Sequence, residues 1–133
     1  MIKASELRIG NYIMQKVGTK ISVVSCSYLH FELLQQGGEG DLYPVLLKPE
    51  IFIRCGFEEN KKYALLPQAR EFKLVMPVSG SGANELLAYM KNNGECFARA
   101  VLNGVPISNN LHHLHALQNL YFALSGTELE VKP

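Results

Sequence analysis

Three of the four histidines in the sequence lie close together towards its C-terminal end, at positions 112, 113 and 115. His112 and His115 are three residues apart and would share one face of a helix, a spacing that two metal ligands can use. The sequence offers no third ligand beside them and no H-E-x-x-H motif. The alternative is that they are ordinary side chains at a helix start, exposed or hydrogen-bonded. We therefore predict no metal or other cofactor, and keep His112 and His115 only as weak candidates for a metal-dependent enzyme.

Other signatures of catalysis are missing from the sequence. Cys26, Cys55 and Cys96 are odd in number and widely spaced, which predicts buried free thiols rather than disulfides or a zinc site. No serine lies in a G-x-S-x-G motif, and no glycine-rich segment has the ending of a phosphate-binding loop. The sequence favours a protein that is not an enzyme, and we assign no catalytic residue.

A second set of side chains follows helical spacing in the same segment. His115, Gln118, Asn119 and Phe122 fall at i, i+3, i+4 and i+7, and we name these four residues the mixed stripe. One interpretation is that the helix is covered on both sides by its own domain, with the amides bonding buried backbone. The other is that the stripe is a recognition or self-association surface, since amphipathic helices commonly present anchors at this spacing. The mixed stripe is our candidate interaction site.

The helix that would carry these residues is the clearest predicted element. Ser108, Asn109 or Asn110 can cap it, it would run to about Ser125, and Gly126 supplies a left-handed stop. One arc of this helix is expected to pack on a sheet, and it consists of Leu114, Leu117, Leu120, Tyr121 and Leu124.

The remaining pattern predicts an α+β fold with mostly antiparallel strands, one short central helix and the long C-terminal helix packed on the sheet. A turn at residues 10–11 leads into a first strand. A turn at residues 17–20 leads into a second strand over residues 21–29, which continues or pairs again over residues 31–34. By analogy, this N-terminal part would have SH3-like character. Pro49 at a first helical position and Gly56 just past the end predict the short helix.

Beyond the short helix, the sequence predicts a meander of strands. Residues 63–66 form one predicted strand, and the alternating run from Phe72 to Val78 forms the next. Residues 84–91 have good helix propensity, but the Asn-Gly turn after them favours a hairpin with residues 96–102. A second Asn-Gly turn leads into a short segment over residues 105–107. We expect residues 1–133 to form a single domain.

Thirteen basic and twelve acidic residues leave a net charge of +1, which argues against a broad electrostatic surface for nucleic acid. A local site stays open as a hypothesis, because Arg8, Lys16 and Lys20 lie near the N-terminal turns and Tyr12 and Tyr28 could stack on bases. No apolar run approaches the roughly 18 residues that cross a membrane, and the N-terminus lacks a signal segment. We expect a cytoplasmic protein without membrane contact.

Both ends of the sequence resemble one known family. Residues 6–13, Glu-Leu-Arg-Ile-Gly-Asn-Tyr-Ile, are similar to its N-terminal signature, and residues 115–126 with Glu128 and Leu129 to its more specific C-terminal one. Residues 44–57, with a proline-containing short helix that ends in Gly-Phe, are similar as well. The family consists of small uncharacterised proteins from Bacteroidetes genomes and their phages or other mobile elements. It has no assigned activity, so the resemblance implies a lineage and transfers no site residue.

Three functions follow as hypotheses from these observations. The leading one is a non-enzymatic accessory or binding protein of phage or mobile-element origin that acts through protein contacts, including self-association. The second is a nucleic-acid-binding module that uses the N-terminal sheet. The third, and least favoured, is a metal-dependent enzyme that uses the histidines at the start of the last helix.

Overall fold

The computed structural model describes residues 2–37, 41–60, 70–76, 84–91, 93–102 and 104–132. It has an α+β fold with two antiparallel sheets and three α-helices in the described ranges, which confirms the predicted fold class. A short 3-10 helix, Ala4–Glu6, precedes the first strand.

The N-terminal part forms a small sheet with the strand order β2-β1-β3. Its strands are β1 Tyr12–Val17, β2 Lys20–Ser25 and β3 Leu42–Pro44. The two predicted turns are present, because Gly10 before β1 and Gly18 between β1 and β2 have φ angles of 97° and 65°. Glycine adopts this left-handed conformation without the steric cost that other residues bear.

A helix follows β2 where the sequence predicted more strand. β2 ends at Ser25 and helix α1 spans Tyr28–Gln35, so the strand predicted over residues 26–29 and 31–34 is wrong. Ser27 precedes the helix in an extended conformation, and its N–H donates to His30 Nδ1 at 2.9 Å. Phe31 and Leu34 pack against the buried cluster beneath the small sheet. The hydrogen bond at the start of the helix and the packing of its apolar side chains thus outweigh a composition rich in residues that favour strands.

The larger sheet has the order β4-β5-β6-β7-β8. Its strands are β4 Glu58–Glu59, β5 Arg70–Val75, β6 Asn84–Met90, β7 Cys96–Leu102 and β8 Val105–Pro106. The hairpin interpretation of residues 84–91 is confirmed, since β6 and β7 pair from Asn84↔Leu102 to Met90↔Cys96. The predicted strand over residues 63–66 and the end of the next one at Val78 lie outside the described residues.

Two further helices complete the fold, α2 Pro49–Arg54 and α3 Leu114–Ser125. The predicted stops of both are confirmed, with φ angles of 91° at Gly56 and 75° at Gly126. The predicted start of α3 is wrong. Ser108 Oγ instead accepts the N–H of Ala100, Leu111 forms a bridge with Ala98, and the helix begins after His113 without a side-chain cap. Contacts of Ser108 and Leu111 with β7 therefore keep residues 108–111 out of the helix.

The core consists of two apolar clusters. The main one lies between α2, α3 and the larger sheet, with Phe52 and Phe72 fully buried at its centre. The predicted apolar arc of α3 packs into this cluster, with Leu114, Leu117 and Tyr121 buried and the other two members partly buried. The smaller cluster lies between the small sheet and α1, and contains Ile2, Leu7, Ile13, Cys26 and Leu42. None of the helices described has both the length and the apolar character needed to cross a bilayer.

Candidate functional site

The turn before β1 docks directly on the mixed stripe of α3. Gln118 is 2% exposed, and its Oε1 accepts the N–H of Tyr12 at 2.8 Å. Its Nε2 donates to the carbonyl of Gly10 at 3.5 Å. The Gln118 amide therefore satisfies backbone groups at the start of β1 that would otherwise be buried without partners.

Asn119 makes a second set of bonds to the same segment. Its Oδ1 accepts from Asn11 Nδ2 and from Arg8 Nε, both at 2.9 Å, and its Nδ2 donates to the carbonyl of Glu6 at 2.9 Å. Asn11 is itself buried, and its Oδ1 accepts the N–H of Arg8 at 2.7 Å. The two asparagines thus fix the turn against the helix through complementary amide groups.

The guanidinium of Arg8 covers the outer end of this contact. It forms a bidentate ion pair with the carboxylate of Glu128, and its Cζ lies 4.3 Å from the ring centroid of Phe122. Hydrogen bonding from Arg8 lowers the pKa of Glu128. We call the contacts of Arg8, Asn11, Gln118, Asn119 and Glu128 the terminal network, because they join the two ends of the chain.

The mixed stripe is therefore an internal contact over most of its length. His115 and Gln118 are both 2% exposed, and residues 6–12 form hydrogen bonds with them. Asn119 uses its oxygen and its nitrogen within the chain, and Phe122, 40% exposed, carries Arg8 on its face. This is the first of the two interpretations that the sequence left open. It also brings the segment before β1 into direct contact with α3.

The histidines do not converge on a common point. His112 lies before α3 on the surface, 3.3 Å from a carboxylate oxygen of Glu95. His115 is buried, its Nε2 lies 3.4 Å from Glu6 Oε2, and its ring stacks on His113 with 5.6 Å between centroids. Burial lowers the pKa values of both His113 and His115. Among the residues that the structure describes, no group of three or more side chains is arranged to hold a metal ion.

The residues proposed for nucleic-acid binding are dispersed. Arg8 is engaged by Glu128 and Asn119, and Tyr12 is half-buried against the main core. Tyr28 lies at the start of α1, where its hydroxyl donates to Glu32. Lys16 and Lys20 are exposed near the β1–β2 turn. Arg8, Tyr12 and Tyr28 are thus each engaged within the chain, and nucleic-acid binding stays a prediction.

The small sheet has an open edge that sequence analysis missed. β2 pairs with β1 only, and no other strand in the described ranges lies along its outer side. Residues 21–25 of this strand contain no charge and no proline, and Ile21 and Val23 are 55% and 58% exposed. The one charge on this strand is Lys20 at its first position, so the run from Ile21 to Ser25 lacks the charge, proline or bulge that edge strands usually carry.

An apolar groove opens beside this edge and has a volume of about 280 Å³. It lies between the small sheet, α2, the start of α3 and the C-terminal segment. Its lining residues are Tyr12, Val23, Val45, Ile51, Leu114, Val131 and Lys132. They come from six separate parts of the chain, so no local pattern in the sequence could indicate the groove.

Comparisons with family models, with curated proteins and with solved structures gave no match for this chain.

Proposed function

We propose that this chain is a non-enzymatic accessory protein that acts through protein contacts, by accepting an extended segment of a partner as an added strand along β2. The carrying observation is the open outer edge of β2, which carries no charge from Ile21 to Ser25. Extended segments commonly bind exposed sheet edges in this way, with main-chain hydrogen bonds supplying affinity. Origin in a phage or mobile element is part of the proposal and rests on the resemblance of the two terminal motifs.

The β1–β2 register determines which main-chain groups face outward. Cys26 N–H donates to the carbonyl of Asn11, and main-chain bonds then fall on every second pair of an antiparallel ladder. Ser22 and Val24 therefore bond to β1, whereas the N–H and C=O groups of Ile21 and Val23 point to the open edge. A partner strand would bond to these outward groups without disturbing the small sheet.

The contact proposed here replaces the mixed stripe as the surface that meets a partner. His115, Gln118 and Asn119 form contacts within the chain, so binding there would first require residues 6–12 to leave α3. Binding at β2 needs no such rearrangement, because the exposed side chains of Ile21 and Val23 and the outward main-chain groups are already accessible. Rigid docking is the reasonable default for such a preformed edge.

The test is a selection of random 12-residue peptides displayed on phage against the wild-type protein and two variants. Ile21→Pro removes an outward N–H while leaving the bonds to β1, and proline is tolerated at such edge positions. Ile21→Thr is the matched control that keeps the N–H. We expect peptides enriched on the wild type to bind Ile21→Thr and to lose binding to Ile21→Pro.

The fold of each variant is verified by circular dichroism and thermal unfolding before selection. Val23→Pro, which also removes an outward N–H, replaces Ile21→Pro if that variant does not fold. Absence of enriched peptides, or enriched peptides that ignore both proline substitutions, would contradict strand addition at β2.

A further inference from the structure

The apolar groove lies where an added strand would place half of its side chains. Tyr12, Met14 and Lys16 share one face of β1, and Val23 lies opposite Met14 on the same face of β2. Tyr12 and Val23 both line the groove. A strand paired with β2 would therefore direct alternate side chains onto this face, beside the groove, and the others onto the opposite face.

The chemistry of the groove selects for aliphatic side chains. Within the described part of the chain its lining consists of five aliphatic side chains, Tyr12 and Lys132, and one of the five, Val23, lies exposed at the β2 edge. Burying apolar surface there would stabilise a complex in proportion to the area removed from water. Polar or charged side chains entering the same space would find no hydrogen-bond partner among the aliphatic walls.

The charge in the groove lining is positive. Lys132 is the one charged residue among the described lining residues, and Lys16 lies on the same sheet face towards the β1–β2 turn. Both lysines are exposed, and neither forms an ion pair within the ranges that the structure describes. The groove and the adjoining sheet face thus present unpaired positive charge to an incoming segment.

We infer that the partner segment is an extended stretch of another protein with aliphatic residues at alternate positions and acidic residues flanking them. This inference rests on the proposed addition of a strand to β2. The aliphatic side chains enter the apolar groove, and the acidic residues face Lys132 and Lys16.

A second copy of this chain fits the charge pattern poorly. Its own β2 would bring Lys20, and the adjoining hairpin Lys16, towards a surface that already carries lysines. A nucleic acid is also disfavoured, because aliphatic side chains cannot form hydrogen bonds or ion pairs with phosphates and Arg8 is already bound by Glu128. These two occupants are outcomes of the experiment below.

The displayed peptides themselves test the inference. Edge-dependent peptides, those that lose binding to Ile21→Pro, are expected to share alternating aliphatic residues and acidic flanks. A repeat selection on Lys132→Glu should shift the flanks from acidic to basic, whereas Lys91→Glu, at the β6–β7 turn of the other sheet, should leave them acidic. Edge-dependent peptides without alternation or without acidic flanks would overturn this inference and leave strand addition intact. If no peptide depends on the edge, the proposed function itself fails.

Affinity measurements on one selected peptide locate the aliphatic contact. Fluorescence anisotropy should show a roughly tenfold weaker binding to Val131→Asp, since a groove wall becomes charged. Val105→Asp, at an exposed valine of β8, is the matched control and should bind like the wild type. Equal affinity for both variants would overturn occupation of the groove.

Two further measurements distinguish the other occupants. Light scattering should give a monomer mass for the free protein, and a dimer that Ile21→Pro dissociates would assign the edge to a second copy and overturn the inference. A fluorescein-labelled single-stranded oligonucleotide at low salt should not displace the peptide, and displacement would assign the surface to nucleic acid.

Discussion

At the start of α3, the imidazole of His115 lies between the 3-10 helix and the ring of His113. Nε2–H donates to a carboxylate oxygen of Glu6 at 3.4 Å, whereas Nδ1 is buried without a partner among the described residues. Burial lowers the pKa of His115, and the hydrogen bond to Glu6 offsets only part of that effect. The folded chain therefore favours the neutral form of the His115 imidazole over the protonated form.

This environment predicts a loss of stability in mild acid. Below the ordinary histidine pKa of 6.5, the unfolded chain takes up a proton at residue 115 that the folded chain does not. The free energy of unfolding therefore falls as the pH drops below about 6.5. We expect His115→Gln to reduce the difference in unfolding free energy between about pH 7.5 and pH 5.5, measured by urea denaturation.

His113 contributes to the same dependence in the wild type, because its pKa is lowered by burial and by the neighbouring histidines. The variant should therefore flatten the curve without abolishing its slope. If the plots of unfolding free energy against pH were parallel for wild type and variant, the pKa of His115 would be the same in the folded and the unfolded chain, contrary to the prediction.

At the scale of elements, α3 depends on a residue just past its end. Gly126 has a φ of 75°, its N–H donates to the carbonyl of Phe122 at 2.8 Å, and a Cβ added there would meet no atom within 4 Å. A side chain at this position would therefore cost stability through the backbone conformation that it must adopt, and not through clashes with neighbouring atoms. The left-handed stop was predictable from sequence because it is a property of the single residue.

We expect Gly126→Ala to destabilise the protein by about 1 kcal/mol, because alanine adopts the left-handed conformation at a cost. Gly126→Asn is the matched variant, and we expect a smaller loss since asparagine tolerates this conformation better. Urea unfolding at neutral pH measures both. Equal losses for the two substitutions would indicate a cause other than backbone conformation.

At the scale of the whole molecule, the terminal network joins segments that lie 106 to 120 residues apart in sequence. The terminal network attaches the turn before β1 to α3, the helix that packs against the main apolar cluster. Bonds between such distant segments make the two apolar clusters depend on one another. We therefore expect both clusters to unfold in one transition.

Asn119→Ala tests this dependence. The substitution leaves the buried Asn11 amide and the carbonyl of Glu6 without their partner, so we expect a loss of about 1–3 kcal/mol in unfolding free energy. Asn110→Ala, at an exposed position before α3, is the control and should change stability by less than about 0.5 kcal/mol. Far-ultraviolet circular dichroism and tyrosine fluorescence should give coincident transitions. If the two substitutions changed the unfolding free energy equally, the terminal network would not be a source of stability.

The α+β class, the β6–β7 hairpin, the short helix and the end of α3 were all predictable from sequence. Each depends on short-range signals: the two-residue and 3.6-residue periods of apolar side chains, and glycines in left-handed positions. The same signals failed at α1 and at residues 108–111, where packing against a sheet or pairing with β7 decided the conformation.

The sequence by itself determined the fold class, most of the elements other than α1, and which side of α3 is apolar, because neighbouring residues set backbone conformation and periodicity. Only the tertiary structure decided that residues 6–12 cover His115 and Gln118, that β2 is left at an edge, and that Val23, Ile51 and Val131 meet in one groove. Those outcomes depend on contacts between residues far apart in the chain, whose geometry no local pattern encodes.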